Sequence, residues 1–175
     1  MTKRHVSKRY IIILLTGTPG TGKTTLAHAL ARPLKAKIIA EKTLAKKKGI
    51  GTWNRSTKEF DVDLPALRKE ILSRIRESKH NLIIEGHLSC DISLPVDGVV
   101  VTHVQRGTLE KRLRARSYSE LKIQENLFCE EDGYVERAVK KNYPRIPVLN
   151  ASTHRPKKGV ARTVLRWIRL NTNTK

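Results

Sequence analysis

The stretch Gly17-Thr18-Pro19-Gly20-Thr21-Gly22-Lys23-Thr24 fills the pattern G-x-x-x-x-G-K-[ST] at every fixed position, and an aliphatic run leads directly into it. The pattern has physical meaning only between a strand and a helix, and the flanks supply both. Residues 10–16 are β-branched and aliphatic, which predicts a buried parallel strand. From Lys23 onward, Leu26, Ala27, Leu30 and Ala31 mark one face of a helix that is expected to stop near Pro33. Lys37 to Ala40 reads as a second short strand. Strand, loop, helix, strand is the opening unit of an α/β fold of the P-loop type, a three-layer sandwich around a parallel sheet.

In such a loop successive backbone N–H groups point into a concave nest, and the following helix adds its positive N-terminal end. Gly20 and Gly22 allow close approaches that a Cβ would obstruct. Lys23 supplies a charge for β- and γ-phosphates, the Thr24 hydroxyl can bind magnesium, and Thr25 can donate to the α-phosphate. A second candidate site is Ile83-Ile84-Glu85-Gly86-His87, where a carboxylate closes a buried strand. Glu85 is the candidate for holding magnesium through water. His87 is close enough to face the γ-phosphate or an attacking group, and its alternative is a loop histidine bonded to backbone. The third is Arg112, Arg114 and Arg116 with Tyr118 beyond, since phosphoryl transfer requires mobile positive charge over the migrating group. Position alone does not choose among these arginines.

The remaining chain carries the elements of one domain. Residues 41–60 are polar, basic and glycine-punctuated, read as a short helix plus an irregular flap. Pro65 to Ser78 has helical spacing; residues 81–86 and 98–104 read as buried strands; Thr108 to Arg116 reads as a helix capped by Thr108. Residues 118–143 read mostly as helix interrupted near Gly133, residues 145–151 as the last strand. A closing helix sets Val160, Val164, Trp167 and Ile168 against Arg162, Arg166 and Arg169.

A chain of 175 residues suffices for one well-buried core with small inserted segments. Cys90 and Cys129 have neither disulfide nor zinc-site spacing. The basic start MTKRHVSKR is followed by only five aliphatic residues, too few for a secretory segment, and no stretch approaches the roughly 18 apolar residues of a membrane helix. A soluble intracellular protein is therefore expected. The net charge of +20, from 36 Lys and Arg against 16 Asp and Glu, exceeds what a nucleotide requires and points to nucleic acid or a nucleic-acid-rich particle, with a solvated basic surface as the alternative.

GTPGTGKTT, EGHLS and LEKRLRARSY, in that order, resemble the small adenylate kinase family that includes the coilin-interacting nuclear ATPase protein and its archaeal relatives. Further matches are GIG at 49–51, EFDVDLPAL at 59–67 and RSYSELKIQENL at 116–127. The resemblance implies a P-loop core with a monophosphate-binding insert at 38–61, a short lid at 115–125 and a basic extension at 1–9. It implies the reaction ATP + AMP = 2 ADP, ATPase activity alongside, and magnesium with the ATP. By position, Gly20, Thr21, Gly22, Lys23, Thr24, Thr25 and Arg116 would bind ATP, and Lys46, Gly86 and His87 the monophosphate. Thr24 and Glu85 would hold the metal; Lys23, His87 and Arg116 would be catalytic; Ser152 to Lys157 would border the adenine.

Two departures stand out. The insert offers Lys46, Lys47 and Lys48 where adenylate kinases commonly use an arginine, and Ser117 stands where relatives often have glycine. The resemblance also implies a role in late maturation of the small ribosomal subunit, with a platform protein and pre-ribosomal RNA as partners. The expected setting is cytoplasmic, nuclear also in a eukaryote, with the protein monomeric and not membrane-bound. The competing readings are a partner-activated assembly ATPase with little kinase turnover and a small-metabolite kinase. A GTPase is disfavoured because no [NT]-K-x-D motif occurs.

Overall fold

The computed structural model describes residues 10–57, 59–153 and 157–172. Along the chain run β1 (Ile12–Thr16), α1 (Lys23–Leu34), β2 (Ala36–Ala40), α2 (Glu41–Lys48), β3 (Thr52–Asn54), β4 (Glu59–Asp61) and α3 (Leu64–Glu77). After β5 (Asn81–Glu85) and a short 3-10 turn (Leu88–Cys90) come β6 (Gly98–His103), α4 (Arg106–Arg114), α5 (Glu120–Glu131), α6 (Tyr134–Asn142), β7 (Val148–Ser152) and α7 (Lys157–Thr172). Five strands form one parallel sheet in the order β2-β5-β1-β6-β7.

Both faces of this sheet are covered, which is why its central strands are apolar without interruption rather than alternating. Leu14, Leu82, Ile84, Val99 and Val101 pack on one side with Leu67 and Ile71 of α3 and Val135, Ala138 and Val139 of α6. Ile13, Leu15, Ile83 and Val100 face the other way, onto Leu26, Ala27 and Leu30 of α1 and Val160, Val164 and Ile168 of α7. A third cluster joins Leu109 and Leu113 of α4 to Ile123 and Leu127 of α5. This is the layered α/β architecture expected of a P-loop kinase-like chain.

Register then decides what the sheet presents at its carboxyl edge. Leu15 and Ala40 both pair with Glu85, so the ends of β1, β2 and β5 lie side by side and the segments leaving them converge. In open α/β sheets that edge is where ligands bind.

Several local expectations are corrected. The irregular flap contains a hairpin in which Trp53 pairs with Phe60 and the Asn54 Oδ1 accepts from the Ser56 and Thr57 N–H groups. Three-residue strands are too short to announce themselves by alternation. Helix α1, by contrast, stops near Pro33 as expected, at Leu34, and is closed by Lys35 in the left-handed region, φ 48°. Helix α4 starts at Arg106, not Thr108, because the Gln105 carbonyl takes the N–H groups of Thr108 and Leu109. The basic extension at 1–9 lies outside the described residues.

Ser117, just beyond α4, holds φ 55°, a left-handed conformation that a Cβ makes costly. Its N–H bonds to the Arg114 carbonyl and that of Tyr118 to the Leu113 carbonyl, so the chain reverses there. Ser117→Val is expected to lower unfolding free energy by about 1–2 kcal/mol, whereas Ser117→Gly keeps or raises it. Urea denaturation of the two variants checks this, and equal stabilities would refute it.

Candidate active site

The loop Gly17–Thr24 connects β1 to α1 and is fastened from behind. Thr21 is fully buried, and its hydroxyl bonds to the Thr18 carbonyl at 2.8 Å and to the Thr102 hydroxyl at 2.7 Å. Its side chain therefore braces the loop against β6, and its carbonyl accepts the Thr153 hydroxyl at 2.6 Å. Gly20 is left-handed, φ 96°, and a Cβ there would stand 2.7 Å from Leu109 Cδ1, so α4 packs directly on the loop.

Lys23, at the start of α1, donates from Nζ to the carbonyls of Gly17 at 2.7 Å and Thr18 at 3.0 Å. Burial pushes its pKa down to about 8, while Glu85 and then Glu41 act in the opposite sense. The ammonium is thus mostly charged at pH 7 and held within the loop. Beside it the Thr24 hydroxyl donates to Glu85 Oε1 at 2.6 Å, joining the loop to the end of β5. Hydroxyl and carboxylate are hard oxygen donors, and Mg²⁺ takes few protein oxygens and completes its shell with water and phosphate, so this pair fits that ion. Among the described residues no cluster of three or more His, Cys, Asp and Glu is set to hold a metal.

Two cavities of about 470 Å³ each meet at the loop. One is lined by Lys23, Thr24, Glu41, Lys42, Glu85, Gly86 and His87, among others. The other is lined by Leu26, Arg112, Ala115, Thr153 and Val160. Gly20, Gly22, Thr25 and Arg116 border both. A larger concavity of about 580 Å³ between β7 and α7 includes no residue of the loop.

The three candidate arginines separate cleanly. Arg114 is engaged by Glu110 and Glu120 on the surface. Arg112 reaches the Gly20 carbonyl at 3.1 Å and Thr153 Oγ1 at 3.4 Å, clasping the loop to the end of β7. Arg116 is exposed, and no carboxylate among the described residues pairs with it. Of residues 152–157, Thr153 lines the second cavity and 154–156 lie outside the described residues. Lys46 is exposed and absent from the cavity lining, whereas Lys42, one turn earlier on the same face of α2, is part of it. His103 lies apart, between Glu130 at 3.2 Å and Glu136 at 3.4 Å; the hydrogen bond to Glu130 raises its pKa.

Sequence reasoning missed Lys42 and Glu41. Glu41 is 1 % exposed, and its pKa is raised by burial against the opposing hydrogen bonds from Ser89 and Leu88. The one available signal was its place directly after a strand, where chemistry gathers in this fold class.

A family model described as an AAA domain matches residues 13–132. A putative adenylate kinase of Pyrococcus furiosus is 38% identical over 122 residues, 69% of this chain and 63% of that protein, so the match spans less than two thirds of the archaeal relative. An adenylate kinase isoenzyme 6 homolog of Caenorhabditis elegans is 31% identical over 134 residues, covering 75% of this chain and 73% of that protein. Among solved structures, shikimate kinase from Acinetobacter baumannii in complex with shikimate aligns with TM-score 0.64 at 17% identity, covering 94% of this chain and 96% of that one. Deoxyadenosine kinase from M. mycoides with bound dATP aligns with TM-score 0.61 at 16% identity, covering 91% and 100%. These two likenesses show the fold.

His87 is exposed at the cavity mouth, yet the protein mass around it, and then Lys23 and Lys42, push its pKa down to about 4. Its ring is neutral at pH 7. With the folded value below the unfolded one, near 6.5, stability from this group is complete above about pH 6.5 and declines as pH falls toward 4. An NMR titration of the His87 ring should show a midpoint well below 6; a midpoint at 6.5 would refute the electrostatic picture.

Proposed function

The chain belongs to the AAA-domain family of P-loop proteins with adenylate-kinase-like relatives, and from that premise we propose that it is an adenylate kinase, catalysing ATP + AMP = 2 ADP, with ATPase activity alongside. The observation that carries this reading is the meeting of two cavities at Gly20, Gly22, Thr25 and Arg116. A donor nucleotide laid against Arg112 and Thr153 would bring its γ-phosphate to Lys23. An acceptor phosphate would enter from the side of Lys42 and His87.

In this reaction the bond between the γ-phosphorus and the β–γ bridging oxygen breaks, and a bond forms to an oxygen of the AMP phosphate. That acceptor is already an anion, so it gives up no proton and needs no general base. Neutral His87 accordingly acts by hydrogen bonding, aligning the attacking oxygen. Lys23 moves its donors from the loop carbonyls to the phosphates, and Arg116 adds charge over the transferring group as the segment beyond α4 closes. Mg²⁺, held by the Thr24 hydroxyl and through water by Glu85, would neutralise the β- and γ-phosphate oxygens when bound.

The proposal extends to late small-subunit maturation, with a platform protein and pre-ribosomal RNA as partners and the protein working as a monomer in the cytoplasm. The net charge of +20 and the exposed Arg162, Arg166 and Arg169 of α7 support a polyanionic setting. A second reading, an assembly ATPase switched on by its partner, draws support from α2 presenting lysines rather than an arginine fork.

ADP formation from ATP and magnesium, with and without AMP, tests the kinase. Strong AMP dependence that Lys23→Ala abolishes is the expected result; a slow, AMP-indifferent rate stimulated by ribosomal material would overturn it in favour of the switch. Lys42→Ala is expected to raise KM for AMP about tenfold, the value of one charged hydrogen bond, and Lys46→Ala to raise it less. Steady-state kinetics of both variants decide between these lysines. His87→Ala should lower turnover while sparing nucleotide binding, and parallel loss of binding would make the residue structural.

A further inference from the structure

Glu41 is the first residue of α2, immediately after Ala40, the strand partner of Glu85. Both its oxygens are committed: Oε2 accepts the Leu88 N–H at 2.9 Å and Oε1 the Ser89 N–H at 3.1 Å, at the start of the 3-10 turn that follows His87. The same carboxylate occupies the space over Gly86, where a Cβ would stand 1.9 Å from Oε2. The peptide from Gly86 to Ser89 is thus laid directly on one buried side chain.

A buried charge is expensive, and mere filling of space would be met by an apolar residue of the same volume. What only a carboxylate offers here is two acceptors facing two neighbouring backbone donors. Each oxygen accepts one of these peptide N–H groups, so the partners the carboxylate holds are backbone donors of the His87 loop.

We propose that Glu41 is a positioning residue for phosphoryl transfer: it locks the backbone around His87 to α2, the helix that brings Lys42 to the same cavity. His87 and the acceptor-side cation then keep one geometry relative to the γ-phosphoryl, and a movement of α2 carries the His87 loop with it. This rests on the kinase reading above. It adds that Gly86 is glycine because of Glu41, and that the second motif is placed by a residue 44 positions earlier in the chain, at the end of another strand.

The test compares the full chain with Glu41→Gln, whose amide has one acceptor and so leaves one of the two N–H groups facing a donor. Expected are unchanged ATP affinity, faster amide hydrogen exchange at Leu88 and Ser89, and a fall in AMP-dependent kcat of about 10- to 100-fold, as misplaced reacting groups produce. Gly86→Ala, which displaces the carboxylate without removing its charge, should give the same split and serves if Glu41→Gln fails to fold. Unchanged exchange, or faster exchange with unchanged kcat, would overturn the proposal. Loss of ATP affinity in step with kcat would overturn it too, assigning Glu41 to Lys23 instead. If the unmodified protein shows no AMP-dependent turnover, the kinase reading itself falls and the transfer role with it. The exchange data would in that case report the anchor alone.

Discussion

The hydrogen bond from Thr24 to Glu85, 2.6 Å long, exists because β1 and β5 are parallel neighbours in a fixed register. A slip of one residue would turn Glu85 to the opposite face of the sheet and bury a charge among the apolar helices. The pairing of β5 between β1 and β2 therefore carries the chemistry: Leu82, Ile83 and Ile84 are buried on both faces, and the register delivers Glu85 to the loop.

Electrostatics inside the site run against those of the chain as a whole. A protein with net charge +20 gathers two buried carboxylates, Glu41 and Glu85, around its buried Lys23. Without them, burial would depress the lysine further toward neutrality, and a neutral amine does little for a phosphate. The compensation is partial by design of the geometry: Glu41 spends both oxygens on backbone, Glu85 one on Thr24. Among the described residues Lys23 consequently has no direct carboxylate partner, and its ammonium donates to the Gly17 and Thr18 carbonyls.

Sequence reading reached the features whose signal is local. The loop, the buried strands, the amphipathic faces of α1 and α7, and the acid at the end of β5 are all legible from patterns within a few residues. It failed where the signal is a distance across the fold. Nothing in EKTLAKKK marks Glu41 as the partner of Leu88 and Ser89, or Lys42 rather than Lys46 as a cavity residue, because both depend on how α2 leaves β2. Position alone did not choose among Arg112, Arg114 and Arg116; only the family resemblance singled out Arg116. Their separation comes from the packing of Leu109 and Leu113 under the loop, which fixes the rotation of α4 and sends only Arg112 toward Gly20.

That rotation also bears on closure. Arg116 sits past the end of α4 and ahead of the left-handed Ser117, and the chain then turns into α5. From α5, Lys122 pairs with Glu59 of β4, so the segment beyond α4 touches the hairpin. The pair is solvent-accessible on both sides, with side-chain exposures of 35% and 41%, and such pairs contribute about 0–1 kcal/mol. A contact that weak does not by itself fix how α5 and the hairpin sit against each other. Arg116, exposed and bordering both cavities, is not itself held by that pair.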